Sequence, residues 1–314
     1  MIVKDFMYYG GINGMRLLSK ALGREQQGLP GEQEADPFLQ SRSVDPESVD
    51  VETGRVGVED KSITVSVIIP TYNEAGSLQE TLLSLLNGAR SPTSHKDVYK
   101  KVNIQVIIAD GGSDDGTLEV ARTSPFVDGT YDGGGHSRGE SLNFGASKAD
   151  GDLFLFLHAD TLVPAGWDVE IRRLLTDPLV PYRIGAFSFK LKEEHRQLSC
   201  MSCIAWGTNL RSRYRQLPYG DQGLFMRRQT FHRLGGFPNV PFMEDYDLVK
   251  RAQAAGGGVV TSDLSVRTSA RRWLINGVVW NTVLNQIVLL GNAVGVPRSV
   301  LVRWYYGLTR RKQY

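Results

Sequence analysis

The stretch Leu153-Phe154-Leu155-Phe156-Leu157-His158-Ala159-Asp160 holds five apolar residues in a row and stops on His-x-Asp. With no polar residue alternating through it, it reads as a strand buried on both faces, which places the first polar groups after it at the carboxyl edge of a parallel sheet. Open α/β sheets bind ligands at that edge. An acid delivered there by a rigid strand can hold a divalent cation against a diphosphate, because a hard cation prefers carboxylate and phosphate oxygens. The stretch points to a nucleotide-handling α/β protein.

Upstream, residues 63–70 (Ile-Thr-Val-Ser-Val-Ile-Ile-Pro) read as a β-branched strand running into Thr71-Tyr72-Asn73-Glu74 and a helix patterned on Leu78, Leu82, Leu85 and Leu86. Residues 103–110 repeat the design and end on Asp110-Gly111-Gly112-Ser113-Asp114-Asp115-Gly116-Thr117, a glycine-rich turn opening a second helix. A helix over 138–148 precedes the central strand. Strands and helices alternating at this length imply βαβ units, right-handed crossovers and a mostly parallel sheet flanked by helices. Beyond Pro164 we expect a strand at 184–191, an Arg-carrying helix at 197–215, a short strand at 222–226 and a helix at 229–234. A helix at 244–255, a strand around 259–261 and two carboxyl-terminal helices after Arg271-Arg272-Trp273 complete the reading. There is no internal repeat, and this half reads as an acceptor-handling extension of the same sheet.

Of 314 residues, 41% are apolar and 22% charged, the range of ordinary globular proteins, which excludes a fibrous or wholly disordered chain. Lys plus Arg number 36 against 34 acids, so no nucleic-acid partner is expected. Residues 24–61 carry ten acids and four bases with few aromatics and read as a solvated, flexible linker. Residues 1–23 lack the long apolar core of a secretory signal; a short amphipathic surface helix and a weak transit peptide both fit, so organelle targeting stays open. In 278–296, Asn281, Asn285, Gln286 and Asn292 recur on a period of about four, closer to a packed amphipathic helix than to a span. The expected location is the cytoplasm or the periphery of a membrane, with membrane-surface contact open. Cys200 and Cys203 have no second pair and read as buried structural thiols.

Three expected strand ends present acids or amides: Asn73 and Glu74, then Asp110, then Asp160. Helix starts beside them offer unbonded N–H groups and a positive dipole end to an anion. Capping accounts for Thr117 and competes for Asp115, whereas Asp110, at the strand end itself, is better placed to bond a nucleobase or ribose. Asp160 is the preferred metal ligand, since a carboxylate closing so apolar a strand must meet a cation, donors or water; turn capping is its alternative. His158 fits a packed imidazole at least as well as a ligand. Glu244, Asp245 and Asp247 crowd one helix start, where adjacent carboxylates repel unless one has a special task, and a general base is such a task. Arg271 and Arg272, with Arg211, Arg213 and Arg215 upstream, supply planar donors that fork onto phosphate oxygens, or else lie on solvated faces.

Over roughly residues 62–273 these motifs resemble the family 2 glycosyltransferases of GT-A fold. The likeness rests on Val67-Ile68-Ile69-Pro70-Thr71-Tyr72-Asn73-Glu74, Ala109-Asp110 through Thr117, His158-Ala159-Asp160, Gly235-Gly236-Phe237 followed by Glu244-Asp245, and Arg271-Arg272-Trp273. The His-Ala-Asp form is most similar to a subgroup of short bacterial-type enzymes. The resemblance implies a GT-A domain at 62–273 between an amino-terminal extension, 1–61, and a helical extension, 274–314. It implies a metal-dependent, inverting, hexosyltransferase-type transfer from a nucleoside-diphosphate sugar, first a UDP-sugar, to an acceptor hydroxyl. Pro70, Tyr72, Glu74 and Asp110 would line the nucleotide pocket, and Ser113, Asp115 and Arg138 complete the candidate nucleotide set. Asp160, with His158 as second candidate, would hold Mg²⁺ or Mn²⁺; Asp245 would be the base, with Glu244 beside it; Arg271, Arg272 and Trp273 would face diphosphate and acceptor. The family's usual Asp-x-Asp stands here as His158-Ala159-Asp160, and its Gln-x-x-Arg-Trp as Ser269-Ala270-Arg271-Arg272-Trp273, so processive polymer synthesis is not expected. A catalytically silent nucleotide-sugar-binding or scaffold protein is the second reading, drawn from His158; a nucleotidyltransferase is the third. Intact Asp110, Asp160 and Asp245 favour the enzyme.

Overall fold

The computed structural model describes residues 63–89, 102–133, 137–175, 183–192 and 201–307. Expectations for residues 1–61 and for Cys200 lie outside them.

The amino-terminal half alternates as expected: β1 (Ile63–Thr71), α1 (Ala75–Gly88), β2 (Val102–Asp110), α2 (Thr117–Thr123), β3 (Gly129–Asp132), α3 (Arg138–Ser147) and β4 (Leu153–Phe156). Then come β5 (Thr161–Leu162), α4 (Trp167–Leu175), β6 (Ile184–Leu191), α5 (Met201–Tyr214), β7 (Leu224–Arg227), α6 (Arg228–Arg233), α7 (Glu244–Ala254) and β8 (Val259–Thr268). Three helices complete the described chain, α8 (Arg271–Asn276), α9 (Val278–Ala293) and α10 (Arg298–Gly307), where the sequence predicts two. The predicted strand around 259–261 is longer than expected, and β3, β5 and α4 stand where the sequence reading places no element, although Trp167, Ile171, Leu174 and Leu175 recur at helical spacing through α4.

The sheet runs β3-β2-β1-β4-β7-β6-β8-β5. Neighbours are parallel from β3 through β4 and between β6 and β8, while β7 runs antiparallel to both its neighbours and β5 antiparallel to β8. Side chains of β4 alternate between two apolar layers, as its unbroken run requires. Leu153, Leu155 and Leu157 pack with Leu78 and Leu82 of α1 and Trp167 and Ile171 of α4. Phe154 and Phe156 pack on the other face with Leu142 of α3, Phe231 of α6 and Leu248 of α7. A fully buried Phe such as Phe154 contributes about 2–3 kcal/mol from burial. Helix α3 lies close against β1: a Cβ added at Gly145 would come within 2.6 Å of Ile68 Cγ2.

Register then gathers the site. Thr71 pairs with Asp110 and Ile68 with Phe156, so β1, β2 and β4 end at one edge. Because β7 is antiparallel, with Leu224 opposite Phe156, the turn at Gly220–Gln222 arrives at that same edge. Strand β5 leaves β4 and pairs with the end of β8, Thr161 opposite Thr268. That pairing sets Asp160 beside the start of α8.

One expectation is corrected. Cys203 is exposed on α5, not a buried thiol. Helix α9 turns its asparagine side inward: Asn281 is buried with Leu284 and Val288, while Val279, Val283, Ile287, Leu290 and Val294 face solvent. Among the described residues no helix is long and apolar enough to cross a membrane.

Candidate active site

A pocket of about 610 Å³ opens at the shared strand edge. Pro70, Tyr72, Glu74, Arg138, His158, Asp160, Asp245, Arg271, Arg272 and Trp273 all line it, ten of the residues singled out from sequence. The backbone of Gly111 and Gly112 adds to the wall, and α9 and α10 close one side with Asn281, Asn285, Val288, Leu289 and Tyr305.

Asp110 is fully buried and does not line the pocket. Its Oδ1 accepts bonds from the Thr71 and Ser113 hydroxyls, both 2.6 Å, and its Oδ2 from the N–H groups of Gly112 (2.9 Å) and Ser113 (2.7 Å). Those four donors occupy the carboxylate that the sequence assigns to a nucleobase or ribose. Its role is to fold the Gly111–Gly112 turn against the pocket. Gly112, at φ 93°, takes the left-handed conformation this turn requires. Ser113 and Asp115 also tie loops together: the Ser113 hydroxyl accepts from the Asn73 N–H (2.9 Å), and Asp115 accepts from the N–H groups of Ala75 and Thr117, both 3.1 Å. Thr117 is buried and accepts from the Glu74 N–H at 2.8 Å, so it joins two helix starts as a cap would.

The three acids of α7 part company. Glu244 is 3% exposed and pairs with Arg138 Nε at 2.5 Å. Asp247 pairs with Arg298 at 2.6 Å. Only Asp245 turns to the pocket, its Oδ2 accepting from the Gly220 N–H and its Oδ1 from the Tyr246 N–H, each 2.7 Å, with Arg138 3.9 Å away. Glu244 is therefore held by Arg138 and does not line the pocket. A capping box, Ser137 and Glu140 each bonding the other's N–H at 3.2 Å, fixes the start of α3 and hence Arg138. Glu244 offsets the cost of a cation at that positive helix end. Gly220 packs closely here: a Cβ there would lie 3.0 Å from His158 Nε2 and 3.2 Å from Asp245 Oδ2, so a side chain would press on both.

Asp160 lines the same pocket. Arg271 bridges it at 3.6 Å and Glu74 at 2.5 Å. Burial first, and then the Glu74 carboxylate, push Asp160 up from the ordinary carboxylate range, against the pull of Arg271, Arg272 and Lys192. A further cation would relieve both pressures. Among the described residues no three His, Cys, Asp or Glu side chains converge as a metal site. Asp160 would thus hold a cation only jointly with a bound ligand's oxygens, and its hard carboxylate fits Mg²⁺ or Mn²⁺ in that arrangement. His158 points elsewhere: its Nε2 lies 3.4 Å from Arg138. Burial, aided by the charges of Arg138 and Arg272, holds its imidazole well below its ordinary value, so the ring is neutral at pH 7.

Of the arginines assigned to phosphate, Arg271 and Arg272 line the pocket, whereas Arg213 pairs with Asp263 at 2.7 Å and Arg211 stacks 3.6 Å over the Tyr219 ring. Sequence reading missed Tyr219 and Asp221, which line the pocket from the turn before β7. Burial, and then the charge of Asp245, raise Asp221 to about 6 despite Arg211. Nothing in the local pattern marks that aspartate; the β4–β7 pairing brings it in.

A sheet edge carrying carboxylates, arginines and glycine backbone is suited to an anionic ligand on an α/β scaffold. Residues 66–235, more than half of the chain, match the sequence profile described as Glycosyl transferase family 2. The chain belongs to that family. It is 34% identical over 125 residues to an undecaprenyl-phosphate 4-deoxy-4-formamido-L-arabinose transferase of Aeromonas hydrophila, covering 38% of this chain and 35% of that protein. It is 47% identical over 58 residues to glycosyltransferase AglE of Haloferax volcanii, covering 18% and 16%. The matches thus span about a third of one relative or less. Among solved structures, a mannosyltransferase of Pyrobaculum calidifontis in complex with GDP-Man and Mn²⁺ has a TM-score of 0.52 at 19% identity, covering 79% of this chain and 70% of that one. S. aureus TarS 1–349 with UDP-GlcNAc has 0.51 at 16% identity, covering 78% and 71%. These neighbours share the GT-A fold.

Proposed function

We propose that the chain transfers a sugar from a nucleoside-diphosphate sugar to an acceptor hydroxyl with inversion at the anomeric carbon, in a hexosyltransferase-type reaction aided by Mg²⁺ or Mn²⁺. The observation that carries it is one pocket lined by Asp160, Asp245, Arg271 and Arg272 together. Asp245 takes the acceptor's hydroxyl proton as that oxygen attacks the anomeric carbon. The bond from that carbon to the diphosphate oxygen breaks, and its electron pair leaves with the diphosphate. Arg271 and Arg272 meet the growing negative charge with planar donors. A divalent cation held by Asp160 and the diphosphate would supply further charge stabilisation there. Pro70, Tyr72 and the Gly111–Gly112 backbone would receive the nucleoside; Trp273, Asn281 and Asn285 lie on the acceptor side.

A panel of UDP-, GDP- and dTDP-sugars, UDP-sugars first, tested for melting-temperature shift and slow donor hydrolysis in Mn²⁺ identifies the donor. Asp245→Asn should keep the donor-induced shift and lower transfer at least about a hundredfold. Unchanged turnover in that variant, or a product of retained anomeric configuration by NMR, refutes the assignment.

A further inference from the structure

The pocket is polar in one part and apolar in another. Glu74, Asp160, Arg271, Arg272 and the Gly111–Gly112 backbone suit a nucleoside diphosphate and its cation, with charges and donors for phosphate oxygens. Phe242, Met243, Val288 and Leu289 line the same pocket and offer phosphates and hydroxyls nothing of that kind.

These four belong to one cluster. Met243 and Val288 are buried together with Leu284 and Tyr305, and Phe242, Tyr246 and Leu289 pack against them. The ring centres of Phe242 and Tyr305 lie 4.7 Å apart. The cluster adjoins Asp245 along the chain: Phe242 and Met243 immediately precede α7, and Tyr246 follows Asp245 within its first turn. Asp245 thus stands at the border of the apolar part.

A general base must lie within hydrogen-bond reach of the hydroxyl it deprotonates. Whatever carries that hydroxyl past Asp245 meets the cluster. A carbohydrate or peptide acceptor would bring several hydroxyls or amides to side chains that offer at most a weak thioether acceptor, and each polar group buried unpaired is costly. The polar groups beside the cluster are partly engaged: the Tyr305 hydroxyl accepts from Arg272 at 3.1 Å, and the Asn281 amide oxygen accepts from Asn276 at 3.3 Å. Asn285 adds one amide to the lining, enough to orient a single oxygen.

We infer that the acceptor is an alcohol or phenol whose hydroxyl is borne on an apolar carbon skeleton, received by Phe242, Met243, Val288 and Leu289 beside Asp245. The inference rests on the sugar-transfer reading and adds the class of acceptor to it. The acceptor oxygen bonds to the anomeric carbon as that carbon's bond to the diphosphate breaks; the hydroxyl proton passes to Asp245 and the electron pair leaves with the diphosphate.

The test offers the full chain, in Mn²⁺ with UDP-glucose, GDP-mannose or dTDP-glucose, four acceptors: 2-naphthol, geraniol, methyl glucoside and a serine-containing peptide. Released nucleoside diphosphate and the glycoside formed are read by mass spectrometry. The flat ring of 2-naphthol and the branched chain of geraniol separate the two sources of such an alcohol. At least one of them should be glycosylated with a kcat/KM at least about tenfold above that of methyl glucoside. Leu289→Gln puts a polar, helix-compatible side chain in the cluster and should lower transfer to that alcohol, relative to donor hydrolysis, by at least about tenfold. Donor hydrolysis with transfer to neither alcohol, a preference for the glucoside or the peptide, or an unchanged ratio in Leu289→Gln overturns the inference and spares the sugar-transfer reading. No nucleoside diphosphate released from any donor overturns both. If the variant fails to fold, the comparison of acceptors with the unaltered chain decides alone.

Discussion

Replacing Asp221 by Asn should raise the melting temperature at pH 8 and change it little near pH 4. The Asp221 Oδ1 is buried and accepts no hydrogen bond from the described residues. Burial, then repulsion from Asp245, lift the carboxyl from 3.8 to about 6, with Arg211 opposing. A carboxyl whose pKa is higher folded than unfolded holds its proton more tightly in the fold. Its stabilising contribution is complete below about pH 4 and is lost as pH rises through about 6. At roughly 1.4 kcal/mol per unit, the fold carries a cost of up to about 3 kcal/mol above pH 6. Since the side chain keeps some solvent contact, about half of that is the expectation, or roughly 3–6 °C in melting temperature for a protein of this size. Asn removes the charge at nearly constant volume. Scanning calorimetry of both proteins at pH 4, 5, 6, 7 and 8 reads the difference directly. A gain equal at pH 4 and pH 8, or a loss throughout, would refute the reasoning.

Three further perturbations test the site and its scaffold. Asp160→Ala should abolish the Mn²⁺-dependent part of the nucleotide-sugar melting shift; a metal increment of unchanged size places the cation elsewhere. Arg138→Met strands the buried Glu244 carboxylate and should cost about 3 kcal/mol in urea unfolding, much of it regained by adding Glu244→Gln. If the second change regains nothing, that pair is not what holds α3 to α7. Gly145→Val drives a side chain into Ile68 and should destabilise by about 1–3 kcal/mol, and an unchanged urea midpoint would contradict the close approach of α3 to β1.

The parts readable from sequence are those whose signal is local. The run 153–157 reads as a doubly buried strand because no polar residue interrupts it. Pro70-Thr71-Tyr72, the Asp110 turn and Asp160 fall at strand ends because apolar runs stop there. Where a side chain meets several others, reading stops short. Asp110 has a strand-end position that suits a ligand, yet four donors from β1 and its own turn claim it. Glu244 and Asp245 are adjacent and chemically alike; the separate approaches of α3 and the Gly220 turn give one to Arg138 and leave the other to the pocket.

The order of residues along the chain determines the run of βα units, the sheet edge as binding place and the acids delivered to it, since periodicity and turn chemistry act over a few residues. Long-range pairing decides which acid faces the pocket and which one pairs with Arg138, the presence of Asp221, and the inward turn of the α9 asparagines. The antiparallel β4–β7 contact and the β5–β8 contact join segments some 70 and 107 positions apart. Charge and burial at a site are sums over neighbours, and those neighbours are chosen by pairings that leave no mark in the local pattern.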